Sequence, residues 1–471
     1  MRNAKIICTI GPACDSEEML TKLAEAGMNV ARLNFSHGSH EEHLQKMKLI
    51  RKVSKKLNKP IAILQDLQGP KIRIGKFAEP PISLNPGDLF TITTDEKTVG
   101  NENIVSTSYK NLANDVEFGD NILVNDGLIK LKVLEKTKVD IFCEVINGGS
   151  LYDRRGINLP GVKISEPSLT KKDKKDLEFG LANGIDYVAL SFVREADSIR
   201  DIKKFMGKNR VPVIAKLEKP EALNNLDEII AEADGVMVAR GDLGVEIFSA
   251  RVPVVQKEII EKCIQAGKPV ITATQMLDSM MTNPIPTRAE TSDVANAVFD
   301  GSDAVMLSGE TAFGKFPVES VTMMKSIICE AEQKPTYFRL KPVERCHKEN
   351  HEFAHSICYA AYYASDETDA KYIVVFTRSG FTAAVMSVLR PEVPVLALTP
   401  SEITMRKLTL YWGVTPIFLD KMLDVEDDMT QLEIYLKKNK WVKSGDNIVV
   451  ISGSSREAGG TNSLRLHAIG K

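Results

Sequence analysis

Apolar runs and amphipathic stretches alternate from the first residues onward. Residues 5–10 (KIICTI), 29–35 (NVARLNF) and 62–67 (AILQDL) are mostly apolar and of strand length. Between them lie two stretches with helix start signals, Asp15 with Glu18 and Ser39 with Glu42. Gly27 closes the first helix, and the second runs to about Leu57. Residues 76–165 then lose the helical period. Turn signals crowd in, NPGD at 85–88 and NDG at 125–127, with the runs LFTITT, NILV, LIKLKVL and IFCEVI between them. NDG between two such runs predicts a hairpin, so an inserted all-β domain is expected. Alternation resumes at Ser168. Strand candidates are 186–193 (DYVALSFV), 211–218 (VPVIAKLE), 235–243 (GVMVARGDL), 269–275 (PVITATQ) and 303–310 (DAVMLSGE). Amphipathic stretches such as LNNLDEIIAEA and VVQKEIIEKCIQAG separate them.

Three strands before the insert and five after it make eight βα units. That count predicts an α/β fold, a (β/α)8 TIM barrel interrupted after its third strand. An open doubly wound sheet is the alternative, which the count and chain length disfavour. From about Lys334, residues 371–377, 393–399, 415–420 and 447–453 form apolar runs between helical stretches. They predict a smaller open C-terminal α/β domain. The expected limits are 1–72 with 166–335 for the barrel, 73–165 for an inserted β-barrel lid, and 336–471 for the last domain.

The composition is that of an ordinary globular protein: 471 residues, 43% apolar, 26% charged and a net charge of -2. This balance gives no support for nucleic acid or membrane as the main partner. No apolar run approaches the ~18 residues that span a bilayer. The start, MRNAKIICTIGP, reads as a strand and lacks a signal peptide's apolar core. Seven scattered cysteines, none in a CxxC, fit reduced thiols and a cytoplasmic location.

In a barrel the chemistry sits at the C-terminal ends of the strands. Strand two ends with Arg32, Asn34 and Ser36, and strand three with QDLQGPK. Strand five ends with Lys216 and Glu218, and strand six with Arg240 and Asp242. Strand seven ends with Thr272, Thr274 and Gln275, and strand eight with Ser308 and Glu310. One charged strand end is ordinarily a solvated edge, and Lys216–Glu218 or Arg240–Asp242 could each be a structural salt bridge. Six polar ends in one ring favour a site. Glu218 and Asp242 on neighbouring strands can share Mg²⁺, which takes one or two carboxylates and otherwise substrate oxygens and water. Lys216 lies two residues before Glu218 and so shares its face. RGDLG offers unencumbered backbone amides as an anion cradle, and Arg32 adds a fork for phosphate or carboxylate. A divalent ion among fixed cations suits phosphoryl transfer. No Walker motif and no H-R-D with D-F-G set is present, so neither common kinase class applies. His37, His40 and His43, and His347, His351 and His355, invite a metal reading. The second set lies among Glu, Lys and Asn and reads better as a solvated face; of the first, only His37 is well placed.

The segments ARLNFSHG, QDLQGPKIRIG, RRGINLPG, AKLEKPEALNNLDEI, MVARGDLGVEI, TATQMLDSM, PTRAETSDVANAV and DGSDAVMLSGETA together resemble pyruvate kinase, in order and spacing over nearly the whole chain. The resemblance implies a catalytic barrel, a lid and a regulatory C-terminal domain. It implies transfer of the phosphoryl group of phosphoenolpyruvate to ADP, giving pyruvate and ATP. Carried onto matching positions, Lys216 would stabilise the transferring group, and Glu218 and Asp242 would bind Mg²⁺, or Mn²⁺ in its place. Arg32 would contact the phosphate. The amides of Gly241 and Asp242, with Thr274, would hold the substrate carboxylate. Asn34, His37, Arg73 and Arg155 would serve the nucleotide, with Arg155 where relatives commonly have Lys. Thr274 and Ser308 are candidates for the proton path to enolpyruvate.

One departure concerns potassium. Potassium-requiring members have Thr and Glu where this chain has Leu67 and Lys71, while Asn34, Ser36 and Asp66 are retained. Leu67, Gln68 and Lys71 resemble the potassium-independent group. A tethered ammonium at ~5 Å and an effective dielectric of ~20 contributes roughly 3 kcal/mol toward an anion, enough to replace a monovalent ion. Potassium is therefore not expected to be required. In the C-terminal domain, Thr377, Ser379, Gly380 and Thr382 form a candidate effector loop for a sugar phosphate or nucleotide. Arg378 and Phe381 interrupt its small hydroxyl residues, and an ordinary βα turn is an equal alternative. Residues 452–462 (SGSSREAGGTN) form a second such loop. A homotetramer is implied by resemblance alone. Two other readings remain at this stage. A Mg²⁺-dependent carbon–carbon lyase is disfavoured by the lid with Arg155. A non-catalytic sensor is disfavoured by the presence of Lys216, Glu218 and Asp242.

Overall fold

The computed structural model describes residues 2–333, 352–420, 429–453 and 460–470. Eight parallel strands close into a barrel: Lys5–Thr9, Val30–Asn34, Ala62–Asp66, Tyr187–Leu190, Val213–Leu217, Gly235–Ala239, Val270–Ala273 and Ala304–Leu307. The residues run almost unbrokenly buried because helices cover the outside and side chains fill the inside. The helices begin where cap chemistry directs. Ser39 and Glu42 form a reciprocal capping box for helix His40–Lys56. The first helix starts one residue later than expected: Ser16, not Asp15, accepts from the Met19 amide. Either residue can cap, and the backbone puts Ser16 in the extended conformation that a cap needs.

The insert leaves the barrel after the third strand. It is a half-barrel of six strands with a two-stranded sheet, Ile82–Leu84 with Gly149–Leu151, beside it. The NDG hairpin is present: Asn125, Asp126 and Gly127 all have positive φ between strands Asn121–Val124 and Ile129–Lys136. One short helix, Leu112–Asp115, interrupts an otherwise β domain. Its own apolar cluster runs from Ile72 to Ile164, separate from the barrel's.

The C-terminal sheet has four parallel strands, Val414–Phe418, Val395–Thr399, Ala370–Phe376 and Asn447–Ser452. A fifth, Ser463–Ala468, joins antiparallel at the edge and was not expected. The expected limit at 335/336 lies outside the described residues. Among those described, no helix is long and apolar enough to cross a membrane.

This domain seals the floor of the barrel, at the N-terminal ends of the strands. Leu410 packs into the barrel's inner apolar cluster with Ile7, Leu64, Ile214, Ile271 and Met306. Around it, Arg406 Nε meets Asp186 at 2.8 Å, Arg390 meets Asp303 at 3.0 Å, and Tyr187 Oη donates to the Lys407 carbonyl at 2.5 Å. Lys5 Nζ donates to the Val414 carbonyl at 2.8 Å.

Burial pulls the Lys5 ammonium down to about 7; Arg2 and Lys59 push the same way, and Glu332 and Asp303 oppose. The folded value lies below the unfolded one, so between pH 7 and 10.5 the unfolded chain binds the extra proton and stability rises with pH. Below pH 7 the burial penalty is complete. Lys5→Met lacks this slope. Urea unfolding at pH 6, 8 and 10 should therefore show the parent gaining on Lys5→Met by about 1 kcal/mol or more. A pH-independent difference would contradict this.

Candidate active site

A buried ionic cluster occupies the opposite end of the barrel. Asp66 ends the third strand and is 1% exposed. Arg32 grips its Oδ2 with Nε at 2.7 Å and Nη2 at 2.6 Å, and sends Nη1 to Thr9 Oγ1 at 2.9 Å. Lys216 Nζ lies 3.1 Å from Asp66 Oδ1, 2.9 Å from Glu218 Oε1 and 2.7 Å from Ser191 Oγ. Glu218 Oε2 accepts from the Phe192 amide at 2.7 Å. Burial alone would raise the Asp66 carboxyl, but Lys216 and Arg32 outweigh it and hold its pKa below the usual value. Burial likewise opposes the Lys216 charge, and Asp66 and Glu218 overcome it, raising its pKa. Glu218 is pushed up, first by burial and then by Asp242, against the pull of Lys216. Three carboxylates thus face two cations, and two of the three repel each other. Such an oxygen-rich, net-negative pair fits a hard divalent ion.

Asp242 sits in the first turn of helix Arg240–Glu246. RGDLG, expected as an anion cradle, therefore opens a helix. The Gly241 amide donates to Thr274 Oγ1 at 2.7 Å. Thr274 and Gln275 have φ of 70° and 53°, a conformation rare for a β-branched residue. Arg240 holds them there, donating to the Ala273 carbonyl at 3.2 Å and the Thr274 carbonyl at 2.8 Å. Its ionic partner is Asp293 at 2.7 Å, so the Arg240–Asp242 pair does not form. Thr272 also turns out to be structural, sharing a hydrogen bond with Ser302 at 2.7 Å in the buried interior. Glu310 accepts the amides of Ser308 at 2.7 Å and Leu277 at 3.1 Å, which fixes the loop that presents Ser308.

On the lid side, His37 is exposed and its pKa is lowered by partial burial and by Arg73, Lys71, Arg32 and Lys172. Arg73 Nη1 donates to the Arg154 carbonyl at 3.0 Å. Arg155 is exposed, with its guanidinium 5.4 Å from the centre of the Tyr152 ring. Asn34 Oδ1 accepts the Ser36 amide at 3.1 Å, and Leu67 is buried in the barrel core. Lys71 lines the cleft between lid and barrel with Gly156 and Asp242, and forms no ion pair among the described residues.

The other two histidines of the first set have structural partners. His40 bonds Asp176 at 2.8 Å, and His43 stacks on Phe35 with ring centres 3.9 Å apart. His355 meets Phe381 edge-on; His347 and His351 lie outside the described residues. In the candidate effector loop, Thr377 Oγ1 accepts from the Gly380 amide at 2.9 Å and Thr382 Oγ1 pairs with Thr461 Oγ1 at 2.6 Å, while Ser379 is exposed. Residues 454–459 of the second loop lie outside the described residues.

Sequence reasoning passed over two strand ends, those of strands one and four. They supply Thr9 to Arg32 and Ser191 to Lys216. It also passed over a buried pair behind the site, Lys219 with Glu246 at 2.6 Å, to which Asn158 of the lid donates at 2.8 Å. Applying the strand-end rule to all eight strands would have found Thr9 and Ser191.

Fold and cluster together define a TIM-barrel enzyme that works at the C-terminal ends of its strands beneath a β lid. Residues 1–321 match the model of the pyruvate kinase barrel domain, and residues 355–467 that of the pyruvate kinase alpha/beta domain. A pyruvate kinase of Staphylococcus saprophyticus is 44% identical over 477 residues, covering 100% of this chain and 81% of the relative. One of Clostridium acetobutylicum is 44% identical over 473 residues and covers 100% of both. The crystal structure of a pyruvate kinase from Cryptosporidium parvum superposes with a TM-score of 0.93 at 37% identity, over 99% of this chain and 96% of that one. The chain belongs to the pyruvate kinase family. Its reaction is phosphoryl transfer from phosphoenolpyruvate to ADP, and its family uses a divalent metal.

Asp66→Asn keeps the shape but removes the charge facing two buried cations. Denaturant unfolding should show a loss of about 3–5 kcal/mol. A loss under about 1 kcal/mol would mean that Arg32 and Lys216 do not depend on this carboxylate.

Proposed function

We propose that phosphoenolpyruvate binds over the Arg32–Asp66–Lys216–Glu218 cluster, whose buried and mutually fixed charges are the observation that carries the assignment of roles. Arg32 contacts the substrate phosphate, and Lys216 stabilises the phosphoryl group in transfer. Glu218 and Asp242 hold Mg²⁺, for which Mn²⁺ can substitute; when bound, the ion neutralises charge on the transferring oxygens. The Gly241 and Asp242 amides, with Thr274, take the substrate carboxylate. The Gly241 amide, already aimed at the Thr274 hydroxyl, supports this. Thr274 and Ser308 are the candidates for delivering a proton to enolpyruvate. Asn34, His37, Arg73 and Arg155 serve ADP or ATP, a reading supported by the cations gathered around His37.

Lys71 replaces a bound potassium ion. Asp66 already spends both oxygens on Arg32 and Lys216, Leu67 offers no side-chain oxygen, and Lys71 has no carboxylate partner among the described residues. The C-terminal domain is regulatory. Its ligand, a sugar phosphate or nucleotide, meets Ser379 and Gly380, with Thr377 and Thr382 shaping the loop from within. The barrel (1–72 and 166–335), lid (73–165) and C-terminal domain (336–471) assemble into a cytoplasmic homotetramer.

Coupled turnover of phosphoenolpyruvate with ADP, with Mg²⁺ varied, tests the site. Lys216→Met should lose at least about 100-fold in kcat; a rate near that of the parent would sink the assignment. The potassium reading is tested in tetramethylammonium buffer, with and without KCl at constant ionic strength. Activity should not change, and Lys71→Glu should be slower without potassium than the parent. A several-fold potassium requirement of the parent would end that reading.

A further inference from the structure

The end of the fourth barrel strand carries a hydroxyl that none of these roles uses. Ser191 directly follows strand Tyr187–Leu190 and is 2% exposed. Leu190 pairs with Ala215, so Ser191 lies level with Lys216 on the next strand. Lys216 Nζ is 2.7 Å from Ser191 Oγ. Ser191 Oγ is in turn 2.7 Å from the Leu67 carbonyl oxygen and 3.5 Å from Asp66 Oδ1.

Chemistry sets the direction of these bonds. An ammonium only donates, so Ser191 Oγ accepts from Lys216. The single hydroxyl proton then has one near acceptor, the Leu67 carbonyl. A relay runs from the Lys216 N–H to the Ser191 O–H to the Leu67 C=O. The ammonium has three N–H groups, and its acceptors are Asp66, Glu218 and Ser191. Ser191 is the one neutral member, and it alone of the three donates a hydrogen bond on to a backbone carbonyl.

That backbone is the base of the lid. Gly69, two residues past Leu67, has φ of 66°. A Cβ there would lie 2.8 Å from Phe192 Cδ2 and 3.0 Å from Ser191 Cβ. The Gly69 amide is held by Asp173 Oδ1 at 3.1 Å. Phe192, with φ of 54°, sends its own amide to Glu218. The Ser191–Phe192 step therefore touches Lys216, Glu218 and the chain that leads into the lid together.

We propose that Ser191 is a positioning residue for phosphoryl transfer: its hydroxyl orients the Lys216 ammonium and refers that orientation to the Leu67 carbonyl at the base of the lid. The proposal rests on Lys216 being the group that stabilises the transferring phosphoryl. Ser191 acts through Lys216 and does not itself touch substrate.

The test compares the parent, Ser191→Ala, Ser191→Thr and Lys216→Met. Turnover is measured with phosphoenolpyruvate and ADP each varied, and thermal midpoints by circular dichroism. Ser191→Ala should lower kcat roughly 10- to 100-fold while the KM of either substrate stays within about threefold. Ser191→Thr keeps the hydroxyl and should recover most of the rate. A merely structural serine would shift the midpoint without separating Thr from Ala in kcat. The proposal is overturned if Ser191→Ala keeps the parent kcat, or if the Thr and Ala variants lose kcat equally. Lys216→Met separates the two levels. Should it remain active, the role of Lys216 fails and this proposal with it. Should it be inactive while Ser191→Ala is unimpaired, this proposal alone fails. If Ser191→Ala does not fold, Ser191→Cys, which keeps the volume with a weak acceptor, is read in the same way.

Discussion

The Asp66 carboxylate is what allows two cations to stand inside the mouth of this barrel. Moving an ammonium or a guanidinium out of water costs several kcal/mol even after relaxation. Asp66 offsets that cost twice, with one oxygen facing Arg32 and the other facing Lys216. Its own burial would favour the neutral acid, and the two cations reverse the preference. The result is a set of charges fixed before substrate arrives. Charges that need not reorganise during the reaction act on the transition state at full strength in a low dielectric. The carboxylate also links strands two, three and five through side chains, in addition to their backbone ladder.

Around this centre, polar residues at the strand ends divide by what they touch. Arg32 and Lys216 meet on Asp66, and Lys216 reaches on to Glu218. Arg240, Thr272 and Glu310 hold backbone or neighbouring side chains in place. The sequence alone made all of them equal candidates, because a strand end reveals position but not partner. Asp293, which claims Arg240, lies on helix Arg288–Phe299, far along the chain. No local pattern connects the two. Ser191 was invisible for another reason. It carries no charge and follows an apolar strand, where a serine excites no suspicion until its neighbour is seen to be a lysine.

The fold was more legible than the site. Eight apolar runs, an interrupting region of turns and a final α/β segment are properties of periodicity, which survives without partners. Failures fell where periodicity is weak. The edge strand Ser463–Ala468 (SLRLHA) is half-exposed and reads as neither face of a sheet. The Ser16 cap stood beside an equally good Asp15. RGDLG, read as an anion cradle, does open a helix, but the Gly241 amide there already donates to Thr274, a partner no local pattern reveals.

The floor of the barrel has a consequence for how the protein can be dissected. Leu410 belongs to the C-terminal domain by sequence but to the barrel by packing. A barrel cut free of that domain would open its interior to water at Ile7, Leu64, Ile214, Ile271 and Met306, and would take the Val414 carbonyl from Lys5, Arg406 from Asp186 and Arg390 from Asp303. The catalytic and C-terminal halves are therefore not interchangeable modules. An engineer who wants to change the C-terminal domain must alter it in place, because truncation would open the floor of the barrel.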